Sequence, residues 1–187
     1  MKAFYSLKRI VLLGFFFNIN LCISYVVFIQ GFPSVQDNNL HLDLVTSGLK
    51  FPTAMDFLGP NDILVTEKDN GTVRRILNGE LQNLSVLDTN VANKYDRGLL
   101  GIAISKIKTE EAKEKSIYVY IYLTESKTEG SDHCISWRSC LKGGEPEGNR
   151  LYRYKWDGQK LIEPKLLLDL PAVPGPAHNG GSLMLGP

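Results

Sequence analysis

Short runs of hydrophobic residues, separated by turn-forming residues, follow one another along most of this chain. The runs are rich in β-branched and aromatic residues, and clusters of Gly, Asn, Asp and Pro interrupt them, which is typical of β-strands. Asn70-Gly71 and Asn78-Gly79 stand between such runs, and an Asn-Gly pair is a strong hairpin signal. The pattern predicts an antiparallel meander of four strands. These strands cover residues 51–58, 63–67, 72–77 and 81–87.

A second set of four runs follows the first. Tyr118, Tyr120 and Tyr122 alternate with aliphatic residues, so their three rings are expected on one face of a strand. Asp157-Gly158 separates the last two runs as another tight turn. A four-strand unit that occurs twice predicts two blades of a β-propeller, with a β-sandwich as the structural alternative. The strands of this set cover residues 99–105, 117–124, 151–156 and 161–168.

The remaining segments complete the prediction of an all-β fold. Residues 106–115 are charged and are expected to form a solvated excursion, and residues 126–149 form a long loop of a kind that often carries function. Residues 178–187 begin a third unit. Propellers typically have about 4 to 8 blades, so the chain is expected to be the N-terminal part of a longer protein.

The N-terminus has a different pattern from the strands. Residues 10–36 contain no charged side chain, and basic residues precede them. As a helix, residues 10–32 could cross about 30 Å of hydrocarbon with the N-terminus inside. Their length favours an uncleaved anchor over a cleaved signal peptide, which is the alternative. Both interpretations predict an exported protein, on the outer face of the membrane or secreted. The expected organisation is a signal or anchor helix at residues 1–33, a polar spacer at 34–41 and an incomplete β-domain at 42–187.

Charge and cysteine content narrow the possible partners. The chain has 21 Lys and Arg against 20 Asp and Glu, so nucleic acid is not expected as a partner. Cys22 lies in the apolar N-terminus, whereas Cys134 and Cys140 lie in the long loop. In an oxidising compartment those two would form a disulfide. A zinc site with His133 is the alternative, but it lacks the paired ligand spacing of structural zinc sites.

Four segments follow one another along the chain: residues 51–55 with 62–68 and 71–76, residues 97–103 (RGLLGIA), residues 118–124 with 149–154, and residues 178–187 (HNGGSLMLGP). In this order they resemble the N-terminal third of the quinoprotein glucose/sorbosone dehydrogenase family, which includes aldose sugar dehydrogenases. The resemblance implies a six-bladed β-propeller that binds pyrroloquinoline quinone (PQQ), assisted by calcium. It also implies that the C1 hydroxyl of an aldose is oxidised and that an external electron acceptor is reduced.

The resemblance implies a catalytic role for one histidine. His178 matches the family's base, the first residue of a His-x-x-Gly motif, and histidine accepts protons readily near neutral pH. Asn179 and Gly180 are expected to contact the cofactor, because glycine lets a flat molecule approach the backbone. The alternative is a turn entering a blade. The resemblance also implies that the other cofactor and calcium ligands follow Pro187.

Asp96 departs from the family pattern, in which Gln often occupies this position. A carboxylate there can hydrogen-bond a sugar or a group on the quinone, but it also brings charge near an anionic cofactor. A surface ion pair between Asp96 and Arg97 is the structural alternative. The departure keeps a second hypothesis open, in which the propeller is a non-catalytic binding module.

Overall fold

Alternating apolar and polar residues arrange this chain as antiparallel sheets. The computed structural model describes residues 34–107, 116–127, 144–172, 175 and 177–186. All the regular secondary structure within these residues consists of β-strands, which confirms the all-β prediction. The chain divides into two compact units, Met1–Leu42 and Asp43–Pro187.

The described part of the first unit is a short polar segment, residues 34–42. A turn forms there, in which the Leu40 N–H donates to the Asp37 carbonyl at 3.1 Å. The Asp37 carboxylate accepts from the Asn39 N–H at 2.9 Å and supports the same turn. The predicted signal or anchor helix at residues 1–33 lies outside the described residues. Among the residues that the structure describes, no helix is long and apolar enough to cross a membrane.

The first sheet of the second unit contains five strands. β1 to β4 are neighbours in chain order, and β5 also pairs with β3. Asn78 (φ 52°) and Gly79 (φ 82°) turn the chain between β3 and β4, and their left-handed backbone is the one that an Asn-Gly hairpin requires. The strands are β1 (Pro52–Gly59), β2 (Asp62–Glu67), β3 (Thr72–Leu77), β4 (Glu80–Leu81) and β5 (Leu87–Asp88).

The prediction of one continuous strand at residues 81–87 is wrong, because the structure has two short strands there. β4 ends at Leu81 and β5 begins at Leu87, and both pair with β3. Between them the chain leaves the ladder, and Leu84 is 78% exposed. An exposed leucine contributes no burial to hold that segment in the sheet, so a short interruption separates two brief pairings with one partner strand.

The second sheet is a four-stranded meander. Its strands are β6 (Leu99–Ile107), β7 (Ser116–Ser126), β8 (Pro146–Trp156) and β9 (Leu161–Leu170), and they lie in chain order with every pair antiparallel. β8 begins before the predicted residue 151, because Asn149 pairs with Thr124 at the end of β7. The segment that carries Cys134 and Cys140 lies outside the described residues, as does Cys22.

The two sheets share one hydrophobic core. Alternate residues of β7 enter it, while Tyr118, Tyr120 and Tyr122 lie half-buried on the opposite face of the strand, as the period of two predicts. The buried members of the core are Leu64, Val73, Val86, Val91, Leu99, Ile102, Ile104, Val119, Ile121, Leu123, Tyr154 and Leu161.

Side chains of β1 fix the position of β6. The Thr53 hydroxyl donates to the Leu99 carbonyl at 2.8 Å, and the Asp56 carboxylate accepts from the Ile104 N–H at 2.6 Å. These bonds join the edge strands of the two sheets at the first residue of β6 and just beyond its middle. The loop that enters β6, residues 89–98, is therefore anchored at its C-terminal end.

Candidate functional site

His178 lies in an irregular segment that follows β9. Its side chain is exposed, but its backbone has φ 61°, a left-handed conformation that is uncommon for a residue with a side chain. Such a conformation costs on the order of 1 kcal/mol and persists only where the surroundings fix it. The contacts that fix it come from the loop before β6 and from β7 and β8.

The first of these contacts is with Asp96. The Asp96 carboxylate, itself exposed in the loop before β6, accepts a hydrogen bond from the His178 backbone N–H at 3.0 Å. The carboxylate thereby holds the backbone of His178 and leaves the imidazole free of this contact. A charged acceptor makes this bond stronger than one between two neutral groups.

Lys68, just after β2, holds the loop that carries Asp96. Its ammonium donates to the carbonyls of Tyr95 at 2.9 Å and of Arg97 at 3.2 Å. Gly98 follows with φ 136°, and a Cβ there would lie 2.4 Å from the Lys68 carbonyl oxygen. Only glycine lets the two backbones approach so closely. The loop is therefore placed by packing that requires Gly98.

Asn179 is held on two sides. Its side chain is buried, with 7% exposed, and its Oδ1 accepts from Nδ2 of Asn149 at 3.2 Å. Its backbone carbonyl accepts from the Tyr122 hydroxyl at 2.9 Å. Burial raises the pKa of Tyr122, so this phenol remains a donor throughout the neutral range.

A threonine orients the Asn149 amide. Thr124 is fully buried, and its hydroxyl donates to Oδ1 of Asn149 at 2.6 Å. This bond turns Nδ2 of Asn149 toward Asn179 and toward the Pro171 carbonyl, at 3.4 Å. Thr124, Asn149 and Asn179 form a buried polar chain from β7 through β8 to the segment that carries His178.

The two glycines after Asn179 bring this segment against the strands. A Cβ on Gly181 (φ 133°) would lie 2.7 Å from Cβ of Leu100, and one on Gly101 would lie 1.9 Å from the Gly181 carbonyl oxygen. Gly180 (φ 77°) has Tyr122 as its nearest neighbour. The close approach at Gly181 is thus to the chain's own backbone on β6.

Arg97 does not form a surface ion pair with Asp96, which was the structural alternative for these two residues. The residue is 8% exposed, and its guanidinium donates to the Ala172 carbonyl and to the Gly175 carbonyl at 3.1 Å. Burial lowers the pKa of Arg97, although an arginine remains cationic. Its charge therefore holds the segment that leads from β9 toward His178.

The family model described as Glucose / Sorbosone dehydrogenase matches residues 49–187. The chain belongs to this family. The match covers both sheets and the segment of His178, so the contacts that hold His178 lie within the matched region. A search of the curated proteins finds no match.

Two solved structures are similar to this chain. One is the PQQ-bound form of aldose sugar dehydrogenase from Streptomyces coelicolor, with 25% identity and a TM-score of 0.44 over 67% of this chain. The other is a glucose dehydrogenase, with 18% identity and a TM-score of 0.45 over 68% of this chain. In both cases the chain spans about a third of the other protein's length, since 32% of that chain is covered.

Three of the residues predicted from the sequence come together in the folded chain. Asp96 bonds to the backbone of His178, and Asn179 is the buried neighbour that anchors the same segment. Gly180 lies beside Tyr122. Among the described residues, no group of three or more His, Cys, Asp or Glu side chains is placed to hold a metal ion.

The residues that hold His178 in place were not predicted from the sequence. Tyr122 was assigned only to a face of a strand, and Thr124, Asn149 and Lys68 were given no role. Residue type alone could not single out Asn149, because it falls in the predicted loop at residues 126–149, where asparagine is common, whereas β8 begins earlier, at Pro146. In the folded chain Asn149 lies within β8 and anchors the segment of His178 through Asn179.

Proposed function

We propose that this chain is the N-terminal part of a six-bladed β-propeller that oxidises the C1 hydroxyl of an aldose sugar, with His178 as the proton acceptor. The observation that carries the proposal is the placement of His178. Its backbone is held by hydrogen bonds within the family region, while its imidazole is exposed to whatever binds there. A general base needs both features, because it must be fixed and must reach the proton that it removes.

The propeller part of the proposal is supported by the two sheets. Each is an antiparallel meander, they share a core, and their edge strands β1 and β6 are bonded to each other. In a propeller the blades repeat around a central axis, so the first strands of neighbouring blades are expected to lie beside each other. The domain organisation that we propose keeps residues 42–187 as the incomplete propeller domain and residues 34–41 as a spacer.

The chemistry required of this chain is a proton transfer. His178 would take the proton of the C1 hydroxyl on an imidazole nitrogen, and the proton would leave to solvent because the side chain is exposed. PQQ, when bound, supplies the acceptor for the hydride that leaves C1, and an external acceptor removes the electrons. Asp96 fits this scheme as the holder of the His178 backbone and not as a contact to an anionic cofactor, since two like charges repel.

Calcium belongs to the proposal through the family alone. Calcium prefers several carboxylate and carbonyl oxygens, and the described part of the chain has no group of three or more His, Cys, Asp or Glu side chains placed to hold a metal ion. We propose that its ligands, and most PQQ contacts, are supplied by the remainder of the family's propeller. Export, with residues 1–33 as a signal peptide or membrane anchor, is proposed from the uncharged N-terminal sequence.

The test uses the whole protein that contains this chain, reconstituted with PQQ and calcium and supplied with aldoses and an artificial electron acceptor. We expect His178→Ala to lower kcat by about a hundredfold or more, the usual contribution of a general base. His41→Ala is the matched control, because His41 is exposed and precedes the family region. A rate that is equal in wild type and His178→Ala would overturn the assignment.

A non-catalytic binding module is the second candidate, and the exposed Asp96 carboxylate favours it. This group places a negative charge beside His178, where an anionic cofactor would meet it. Titration of the whole protein with PQQ, followed by absorbance, separates the two candidates. Saturable binding supports the dehydrogenase, whereas no binding in the presence of calcium supports the binding module.

A further inference from the structure

Asn149 connects the second sheet to the segment of His178. It is 7% exposed, and its amide is enclosed between Thr124 on β7 and Asn179 in the segment after β9. We propose that Asn149 is a positioning residue, which sets the orientation of His178 by holding Asn179. The proposal rests on the function of His178 proposed above.

The Asn149 amide has one preferred orientation. The Thr124 hydroxyl donates to its Oδ1, so Nδ2 is directed toward the acceptors on the far side, Oδ1 of Asn179 and the Pro171 carbonyl. A reversed amide would place an NH₂ group toward Thr124 and an oxygen toward two acceptors. Because the bonds of Asn149 to Thr124 and Asn179 are buried, a lost hydrogen bond there is not replaced by water, and the reversed state is disfavoured.

The hydrogen bond between Asn149 and Asn179 affects His178, because His178 directly precedes Asn179 in the chain and the backbone there is held in place. The Asn179 side chain is held by Asn149, and its carbonyl is held by Tyr122. The preceding residue, His178, has the unfavourable left-handed φ of 61°. Release of Asn179 would let His178 relax toward an ordinary φ. That change would move its imidazole from the position it has in the structure and would weaken the hydrogen bond from its backbone N–H to Asp96.

Hydrogen exchange at the His178 backbone N–H tests this without any cofactor. We expect Asn149→Leu in the full 187-residue chain to accelerate that exchange about tenfold, which corresponds to loss of one or two buried hydrogen bonds. Arg150→Gln is the matched control. Arg150 is the next residue of β8 and pairs with Glu125 and Asp169, so its loss perturbs the strand without touching Asn179. Exchange at His178 should then stay within about twofold of wild type.

Tyr122→Phe provides a milder variant if Asn149→Leu does not fold. It keeps the ring and removes only the hydroxyl that donates to the Asn179 carbonyl, so exchange at His178 should rise by roughly three- to tenfold. Unchanged exchange at His178 in either folded variant would overturn the positioning role. Acceleration that is equal in the Arg150→Gln control would also overturn it, because the effect would then be general destabilisation.

Activity of the whole protein distinguishes this proposal from the one on which it rests. If both hold, Asn149→Leu lowers kcat more than it changes KM, because the base is displaced while sugar contacts remain. If His178→Ala leaves the rate unchanged but Asn149→Leu still accelerates exchange at His178, the proposed base is wrong and the anchoring is correct. Normal exchange with a lowered kcat contradicts the positioning role alone.

Discussion

The Asp96 carboxylate and the His178 backbone N–H form a 3.0 Å hydrogen bond between residues that lie 82 positions apart in the sequence. The bond stabilises a left-handed histidine, so its loss should free the backbone of His178. We expect Asp96→Ala to accelerate hydrogen exchange at His178 by about tenfold, as for a lost bond to a charged acceptor. NMR-detected exchange measures this effect.

Asp96→Asn and Asp88→Ala are the controls for that prediction. Asp96→Asn retains a side-chain oxygen as acceptor and should show a smaller increase. Asp88 is another exposed carboxylate, at the end of β5, and its removal should leave His178 unaffected. Equal exchange in Asp96→Ala and wild type would show that the bond does not hold the segment in solution.

Gly101→Ala should destabilise the fold. Its new Cβ would lie 1.9 Å from the Gly181 carbonyl oxygen, so β6 and the segment of His178 would have to separate. We expect a loss of about 2 kcal/mol or more in the free energy of unfolding, measured by denaturant titration. Gly59→Ala is the control, since a Cβ there meets nothing closer than 3.7 Å. If both variants melt alike, the close approach is not present in solution.

Alkaline pH should destabilise the protein through Tyr154. Burial is the main reason that the pKa of Tyr154 is raised to about 12 from the ordinary value of 10.0, since the residue is only 6% exposed. Between these values the unfolded state has lost the proton that the folded state still binds. The stabilisation is therefore fully present below pH 10 and is lost as the pH rises through about 12, at a cost of about 2–3 kcal/mol.

Denaturant titrations at a series of pH values check this loss. Tyr154→Phe should flatten the alkaline decline only in part, because burial also raises the pKa of Tyr152 to about 12, and this partly exposed residue adds a smaller loss in the same direction. Tyr95→Phe is the control, since its ring is 63% exposed. An unchanged slope in Tyr154→Phe would contradict the assignment.

Arg75 should contribute to stability through its planar guanidinium group, which forms two hydrogen bonds to one carboxylate. Its Nε and one terminal nitrogen donate to the two Asp62 oxygens at 2.7 and 2.6 Å, and these hydrogen bonds raise the pKa of Arg75. Its guanidinium also lies 5.1 Å from the centre of the Trp156 ring on the other sheet. A lysine keeps the charge but not this geometry, so Arg75→Lys should cost about 1–2 kcal/mol by thermal denaturation. Combination with Asp62→Asn should cost less than the sum of the two single changes, and strict additivity would argue against the pair.

Local sequence determined the strands of this protein and most of their pairing. Asn78-Gly79 fixes a hairpin because both residues tolerate a left-handed backbone, and the alternation around Val119, Ile121 and Leu123 directs one face of β7 into the core. The ordered segments were also enough to identify the family, whose model matches residues 49–187. The break between β4 and β5 was not predicted, because a short exposed interruption leaves the apolar pattern almost unchanged.

Tertiary structure decided which residues surround His178. The bond from Asp96, the buried chain from Thr124 through Asn149, and the contact between Gly101 and Gly181 all join segments that are distant in sequence. No periodicity or motif encodes such contacts, since they depend on how β6 to β8 pack against the segment that follows β9. The sequence therefore named His178 as the candidate base, and only the packing of distant segments determined what holds it.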